Sequence, residues 1–283
     1  MKKNFFTKLG LFLFIFCFNS LINLSLANER IVISGGSLTE IVFALGAGNQ
    51  VVGVDKTSSY PDAVKQLPQI GYWKLLNIEG ILSLKPSLFI TLSDVEPDNV
   101  VSQVAKANVD VLSLQRIPGT VNLLYLNIEK IADKLNKQTE GKQLISRIKN
   151  NLAQIQEKIS NHSKKAKVLF LMSMGGTNSV AGKNTTADAL ITIAGGENLA
   201  KHTSYKNYTA ESLIAMNPEI IILNKNSIEQ LGGIEKLNTI AGITETSAYK
   251  NHRIITIDDS YLFGIGPRVD EVSQILYQHF YPQ

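Results

Sequence analysis

The stretch TEGKQLISRIKNNLAQIQEKISNHS, Thr139 to Ser163, decides the architecture. Leu144, Ile148, Leu152, Ile155 and Ile159 recur at steps of four, four, three and four, so a helix gathers them into one apolar stripe. The other positions are mostly Lys, Glu, Gln and Asn. A helix of about 25 residues measures about 38 Å, more than a link between neighbouring elements needs. Such a rod bridges two lobes. The other use of the stripe, a coiled-coil dimer, has only about three heptads to work with.

Outward from the rod the sequence alternates between two periods. A shorter helical segment, Val121 to Leu135, precedes it. Upstream, Ile31 to Ile33, Val51 to Val54, Ser87 to Leu92 and Val109 to Leu114 read as strands, with helical spacing over Leu38 to Leu45 and Val100 to Ala107. Downstream of Lys164 to Lys167, strands are expected at Val168 to Met172, Ile220 to Leu223 and Arg253 to Ile257, and helices at Thr185 to Ala194 and Val269 to Phe280. Alternating strands and helices predict mostly parallel sheets. The fold class is therefore α/β: an N-terminal lobe over 28–120 and a C-terminal lobe over 166–283, joined by linking helices over 121–165 that include the long rigid rod.

The two lobes echo each other. Strand, Gly-Gly loop, helix and Gly stop occur at Ile31 to Gly48 and again at Val168 to Gly196. EGILSLKP (Glu79 to Pro86) and ESLIAMNP (Glu211 to Pro218) each place Glu seven residues before Pro, with a strand after the Pro. Seven helical residues make about two turns, so each Glu opens a short helix. A carboxylate there interacts favourably with the helix dipole. The matched placement, one per lobe, also suggests a symmetric pair of anchors.

Composition narrows the function. With 44% hydrophobic and 18% charged residues in 283, the chain is globular rather than disordered. Its formal charge of +4 includes Lys2, Lys3 and Lys8; the other 25 basic residues exceed the 24 acidic ones by one. Nucleic acid is not indicated as a partner. The early lysines, the apolar run Leu9 to Phe18 and the small-x-small site Ser25-Leu26-Ala27 form a secretory signal over 1–27, cleaved after Ala27. A membrane anchor needs an apolar run of roughly 20 residues. The single cysteine, Cys17, follows Phe16, which does not fit lipid attachment. The expected product is an exported periplasmic protein without disulfides.

Enzymatic signatures are missing. The Gly-Gly loops lack GxGxxG or P-loop spacing, and Ser37, Ser173 and Ser179 lack a nucleophile elbow. His162, His202, His252 and His279 form no close pair, against zinc or manganese binding. Asp258-Asp259 reads as a strand-end cap. No catalytic residue is assigned, and an exported α/β enzyme with an unrecognised site is the rival of another class.

Several segments together resemble the periplasmic binding proteins of ABC importers, in the long-helix class that serves cobalamin, ferric siderophores and haem. They are Glu40 to Gly48, Val52 to Asp55 with Tyr60-Pro61, Leu67 to Trp73, Glu79 to Leu88, Met172 to Gly176, Ala181-Gly182 with Thr186 to Asp188, Ala194 to Gly196, and Gly264 to Arg268. The similarity is greater to the haem (hemin)-binding members, and it implies a ligand cleft between the two lobes. It implies that Tyr72 ligates ferric haem iron through its phenolate, a hard anionic donor suited to Fe(III). A free phenol has a pKa near 10, so a nearby cation or the iron itself must favour that form. Lys74 stands where members often carry Arg and supplies charge without the planar fork. With no His between His162 and His202, a second ligated haem is not expected. Arg268, at the start of the last helix, is expected to meet a haem propionate, with Lys225 a weaker candidate. The resemblance also implies that Glu79 and Glu211 dock on arginines of an inner-membrane permease with its ATPase, downstream of an outer-membrane haem receptor system, in iron acquisition. The same architecture binding a ferric siderophore or cobalamin remains open.

Overall fold

The computed structural model describes residues 29–117, 119–174 and 177–282, apart from the side chains of 173, 174 and 177. The expected signal segment with Cys17, the side chain of Ser173 and the Gly175-Gly176 loop lie outside the described residues.

The N-terminal lobe runs β1 (Ile31–Ser34), α1 (Gly36–Ala44), β2 (Val51–Val54), β3 (Gly71–Tyr72), β4 (Leu75–Leu76), α2 (Ile78–Ser83), β5 (Leu88–Leu92), α3 (Val100–Lys106) and β6 (Asp110–Leu114). Four of these strands form a parallel sheet in the order β2-β1-β5-β6, with Ile31 beside Leu88 and Ile33 beside Ile90. Every residue of β1 and β5 is buried, which is why they are near-continuous apolar runs, interrupted only by Ser34 and Thr91, rather than alternating ones. β3 and β4 make a separate antiparallel hairpin.

Two helices follow, α4 (Val121–Lys134) and α5 (Gln138–Ser160). The 23 residues of α5 extend about 35 Å. Leu144, Ile148 and Ile155 of its stripe are buried, and the helix packs on α4 and on the closing helix, so the chain itself covers the face a coiled coil would use. Near its start, a Cβ at Gly141 would stand 2.7 Å from that of Ala132 on α4. Near its end, Ile159 packs within 2.8 Å of where a Gly195 Cβ would be. The rod is thus packed on the neighbouring linking helix near its start and on the C-terminal lobe near its end.

The C-terminal lobe runs β7 (Lys167–Met174), β8 (Thr177–Ala181), α6 (Thr186–Ile193), β9 (Glu197–Asn198), β10 (Tyr205–Asn207), α7 (Ala210–Met216), β11 (Ile220–Asn224), α8 (Lys225–Leu231), α9 (Ser247–Lys250), β12 (Ile254–Ile257) and α10 (Val269–Phe280). Its sheet has the order β10-β8-β7-β11-β12, with β9 also on β7. The core strands β7, β11 and β12 are parallel, whereas β8 pairs antiparallel with β7 and with β10. Side chains alternate with the pleat. Val168, Phe170, Ile220 and Ile222 face a core continuous with the N-terminal sheet and the linking helices; Leu169, Leu171, Ile221 and Leu223 face a second cluster with Leu213 and Ile243. One continuous core therefore joins the two lobes. Among the described residues no helix is long and apolar enough to cross a membrane.

Candidate ligand cleft

The cleft lies where the parallel strands of both sheets end, the usual ligand position in open α/β sheets. Thr57 follows β2, Leu92 closes β5 and Arg116 follows β6 on one wall. Met172 from β7, Tyr205 from β10, Asn224 at the end of β11, and Asp259, Leu262 and Phe263 after β12 form the other. The space between them is about 230 Å³.

Tyr72 enters this cleft from the β3–β4 hairpin. Gly71 makes the turn geometry possible: its φ is +106°, and a Cβ there would stand 2.5 Å from the Leu75 carbonyl oxygen. Backbone bonds pin the hairpin down: Lys56 N–H donates to Gly71 O at 2.8 Å, Glu96 N–H to Trp73 O at 2.8 Å and Leu76 N–H to Glu96 O at 2.9 Å. Despite this anchoring the Tyr72 side chain is 41% exposed. Its ring stands 5.8 Å from that of Trp73, and the Arg116 guanidinium lies 4.9 Å from the Trp73 ring centre. The Tyr72 ring is thus held beside Trp73 at the cleft, with the residue partly exposed.

Beneath Thr57, Asp55 is buried and accepts from Gly35 N–H at 3.1 Å, from the Thr57 hydroxyl at 2.8 Å and from the Ser58 hydroxyl at 2.9 Å. Burial pushes its carboxyl pKa up, and these hydrogen bonds pull it partly back. Gly36 N–H in turn donates to Thr57 Oγ1 at 2.9 Å. The cluster fixes both the start of α1 and the Thr57 side of the cleft.

The expected cations sit elsewhere. Lys74 is not among the residues lining the cleft; its ammonium lies 3.8 Å from Glu96 Oε1 and 4.9 Å from the Trp73 ring centre. Arg268, expected to meet the ligand, is instead spent on a clamp between the lobes. Its Nε and Nη2 donate to the two oxygens of Glu40 on α1, at 2.9 and 2.5 Å, and Nη2 also donates to Ser260 Oγ at 2.8 Å. The rings of Tyr60 and Tyr261 lie 3.7 and 4.3 Å from its guanidinium carbon. The physical reason is its place just before α10, where the C-terminal lobe packs on α1: a Cβ at Gly264 would stand 2.8 Å from Ser37 Oγ. Lys225 lies 3.6 Å from Asp258.

Glu79 and Glu211 occupy matching places, each exposed and each second in its helix. Asn77 caps α2 through Gly80 N–H at 2.9 Å, and Thr209 caps α7 through Ser212 N–H at 3.2 Å. Both helices turn into their prolines through a residue of positive φ, Lys85 at 50° and Asn217 at 39°. The Glu211 carboxyl is held below its usual pKa by hydrogen bonds at the helix start. Asp258 does cap, accepting from Ser260 N–H at 3.0 Å, whereas Asp259 faces the cleft and accepts from Asn224 Nδ2 and Asn226 N–H. Arg116, Tyr205, Asn224 and Asp259 went unnoticed in the sequence as cleft residues. Their common signal is position, since all but Tyr205 fall at or just after the end of a parallel strand.

This geometry is that of a two-lobed binding protein with its ligand between the lobes. Residues 31–261 match the family described as periplasmic binding protein, and the chain belongs to that family. A solved structure similar to it is the apo form of the periplasmic heme-binding protein RhuT from Roseiflexus sp. RS-1, 35% identical with a TM-score of 0.84 over 89% of this chain and 98% of that one. Among curated relatives, an uncharacterized ABC transporter substrate-binding lipoprotein, YvrC of Bacillus subtilis, is 29% identical over 90% of this chain and 80% of its own length. The vitamin B12-binding protein of Photorhabdus laumondii is 22% identical over 92% and 91%. The family and these relatives are substrate-binding components of transport, not enzymes.

Proposed function

We propose that this protein captures haem in the periplasm, after export and removal of residues 1–27, and delivers it to an ABC importer permease and its ATPase. The observation that carries this reading is Tyr72: a phenol held on a pinned hairpin, left open, beside Trp73 and facing an apolar and aromatic wall of Leu92, Met172, Leu262 and Phe263. A flat apolar macrocycle with a ferric centre needs such walls and one hard oxygen donor. The similarity to RhuT supports the same ligand. Glu79 and Glu211, one per lobe, are the anchors for the two halves of the permease.

Titration of the purified protein with hemin, followed by absorption, tests the reading. A one-to-one complex with a high-spin ferric phenolate spectrum is expected, and Tyr72→Phe removes that spectrum while keeping the packing. A spectrum unchanged in Tyr72→Phe would move the iron ligand elsewhere. Cobalamin is the second reading, favoured by the B12-binding relative and by the polar Asn224, Asn226 and Asp259 on one wall. Cyanocobalamin binding that hemin cannot displace would establish it instead.

A further inference from the structure

We propose that Arg116 is the receptor for a carboxylate of the ligand and sets which edge of the macrocycle enters the cleft. The proposal rests on the haem reading and goes beyond it by assigning the acid-binding group.

Among the described residues lining the cleft, Arg116 is the only cation. Lys74, Lys225 and Arg268 do not line it. The Arg116 side chain is well placed and constrained: it is 24% exposed, Nη2 donates to Asp94 Oδ2, and the guanidinium lies 4.9 Å from the Trp73 ring centre. A guanidinium carries five N–H donors. Asp94 engages Nη2 and Nε is closed off from solvent, whereas no hydrogen bond from Nη1 to the described residues is found, so the donors open to a ligand are those of Nη1. Donors are therefore left over on a cation that is already ordered, so little side-chain entropy remains to be lost on binding.

The opposite wall adds a matching donor and a repulsive element. Tyr205 carries a hydroxyl for which no hydrogen bond to the described residues is found. Burial pushes its pKa up to about 12, with the Arg116 charge acting the other way, so it stays a neutral O–H donor at neutral pH. Asp259 has both carboxylate oxygens occupied, by Asn224 Nδ2 and Asn226 N–H. Its charge repels a second acid from that part of the wall. The acid edge of the ligand is thus directed to the Arg116 side of the cleft.

Hemin and hemin dimethyl ester, which differ only in the two acids, provide the test. The parent is expected to bind hemin about tenfold tighter than the diester, as one charge-assisted contact allows. Arg116→Gln should remove that preference and keep the ferric phenolate spectrum. Arg116→Lys should keep part of it, and Asp94→Asn, which frees Arg116 without removing its charge, should keep all of it. Circular dichroism and urea unfolding establish that each variant is folded; if Arg116→Gln is not, the Arg116→Lys and Asp94→Asn arms decide. Equal affinities for acid and diester in the folded parent, or an undiminished preference in Arg116→Gln or Arg116→Lys, would overturn the assignment while leaving the haem reading intact. Failure of the parent to bind hemin at all would overturn both.

Discussion

Removing the guanidinium at Arg268 should destabilise the protein strongly, and in a way that depends on pH. Glu40 is 6% exposed at its side chain and Arg268 14%, so neither group has much water to fall back on. Burial already pushes the Glu40 carboxyl above its usual pKa; the Arg268 hydrogen bonds and charge pull it down, and the negative charges of Glu271 and Asp258 push it up. In Arg268→Ala the downward pull disappears and the carboxyl takes up a proton. The cost of doing so at pH 7 is at most about 3.4 kcal/mol, from 1.36 kcal/mol per pH unit above an ordinary value of 4.5. Loss of the two tyrosine contacts adds roughly 0.5–1 kcal/mol each. The total falls at about 3–5 kcal/mol, the range for breaking a buried pair. The sign follows from the raised folded pKa: protonation favours the folded variant below the unfolded pKa, and that contribution is lost as pH rises. The deficit against the parent should therefore shrink from pH 7 to pH 5, where the proton-uptake cost is only about 0.7 kcal/mol. Urea unfolding between pH 5 and 8 measures it, with Glu40→Leu/Arg268→Met as the double variant, expected near the parent. A deficit below about 1 kcal/mol, or one flat across that range, would refute a desolvated clamp between the lobes.

Three further outcomes are expected. Gly36→Ala should cost about 1–3 kcal/mol and weaken ligand binding together, because its Cβ would stand 2.5 Å from the Thr57 carbonyl oxygen at the cleft; calorimetry with and without hemin checks both. Glu79→Ala and Glu211→Ala should leave hemin affinity unchanged yet slow uptake in reconstituted vesicles, the double variant more than either and charge reversal more than truncation; parent-like uptake by the double variant would return both residues to a helix-start role. Solution scattering should show little compaction on adding hemin, since α5 resists bending and the core is continuous; a contraction of many ångströms would contradict this.

The sequence made visible whatever depends on local periodicity. The apolar stripe of α5, the continuous buried runs of β1, β5 and β11, and the Gly stops after α1 and α6 are each written within a few residues. The short strands β3, β4, β8, β9 and β10 were not legible. They hold two to five residues each, and β8 (TNSVA) and β10 (YKN) lack the apolar run that marks a central strand. Contacts distant in the chain were hidden for the same reason. Nothing near Arg268 announces Glu40, 228 residues away, so a cation at a helix start read as a ligand contact. Tyr72 stood out through family resemblance alone; its exposure on an otherwise anchored hairpin became apparent from backbone hydrogen bonds that no local pattern encodes.

The rigid frame and the placement of the anchors bear on release. Arg268–Glu40 ties the lobes to each other, Arg147 and Asn151 tie α5 to the buried Asp270 at the start of α10, and the two lobes share one core. These ties oppose spontaneous opening of the cleft. In the proposed transport complex, release would be worked from outside, at points mechanically continuous with the ligand. Glu79 lies seven residues after Tyr72, on a helix that begins directly beyond β4, and the Asn77 N–H bond to Ile70 O at 3.0 Å joins that helix start to the hairpin base. In the proposed complex, force on Glu79 therefore passes to the hairpin that carries the iron ligand. Glu211 opens α7, which leads through Asn217 and Pro218 into β11, whose last residue, Asn224, lines the opposite wall. Each proposed anchor thus leads along its own chain segment to one wall of the cleft, so in the proposed complex a permease that separates Glu79 from Glu211 separates the walls.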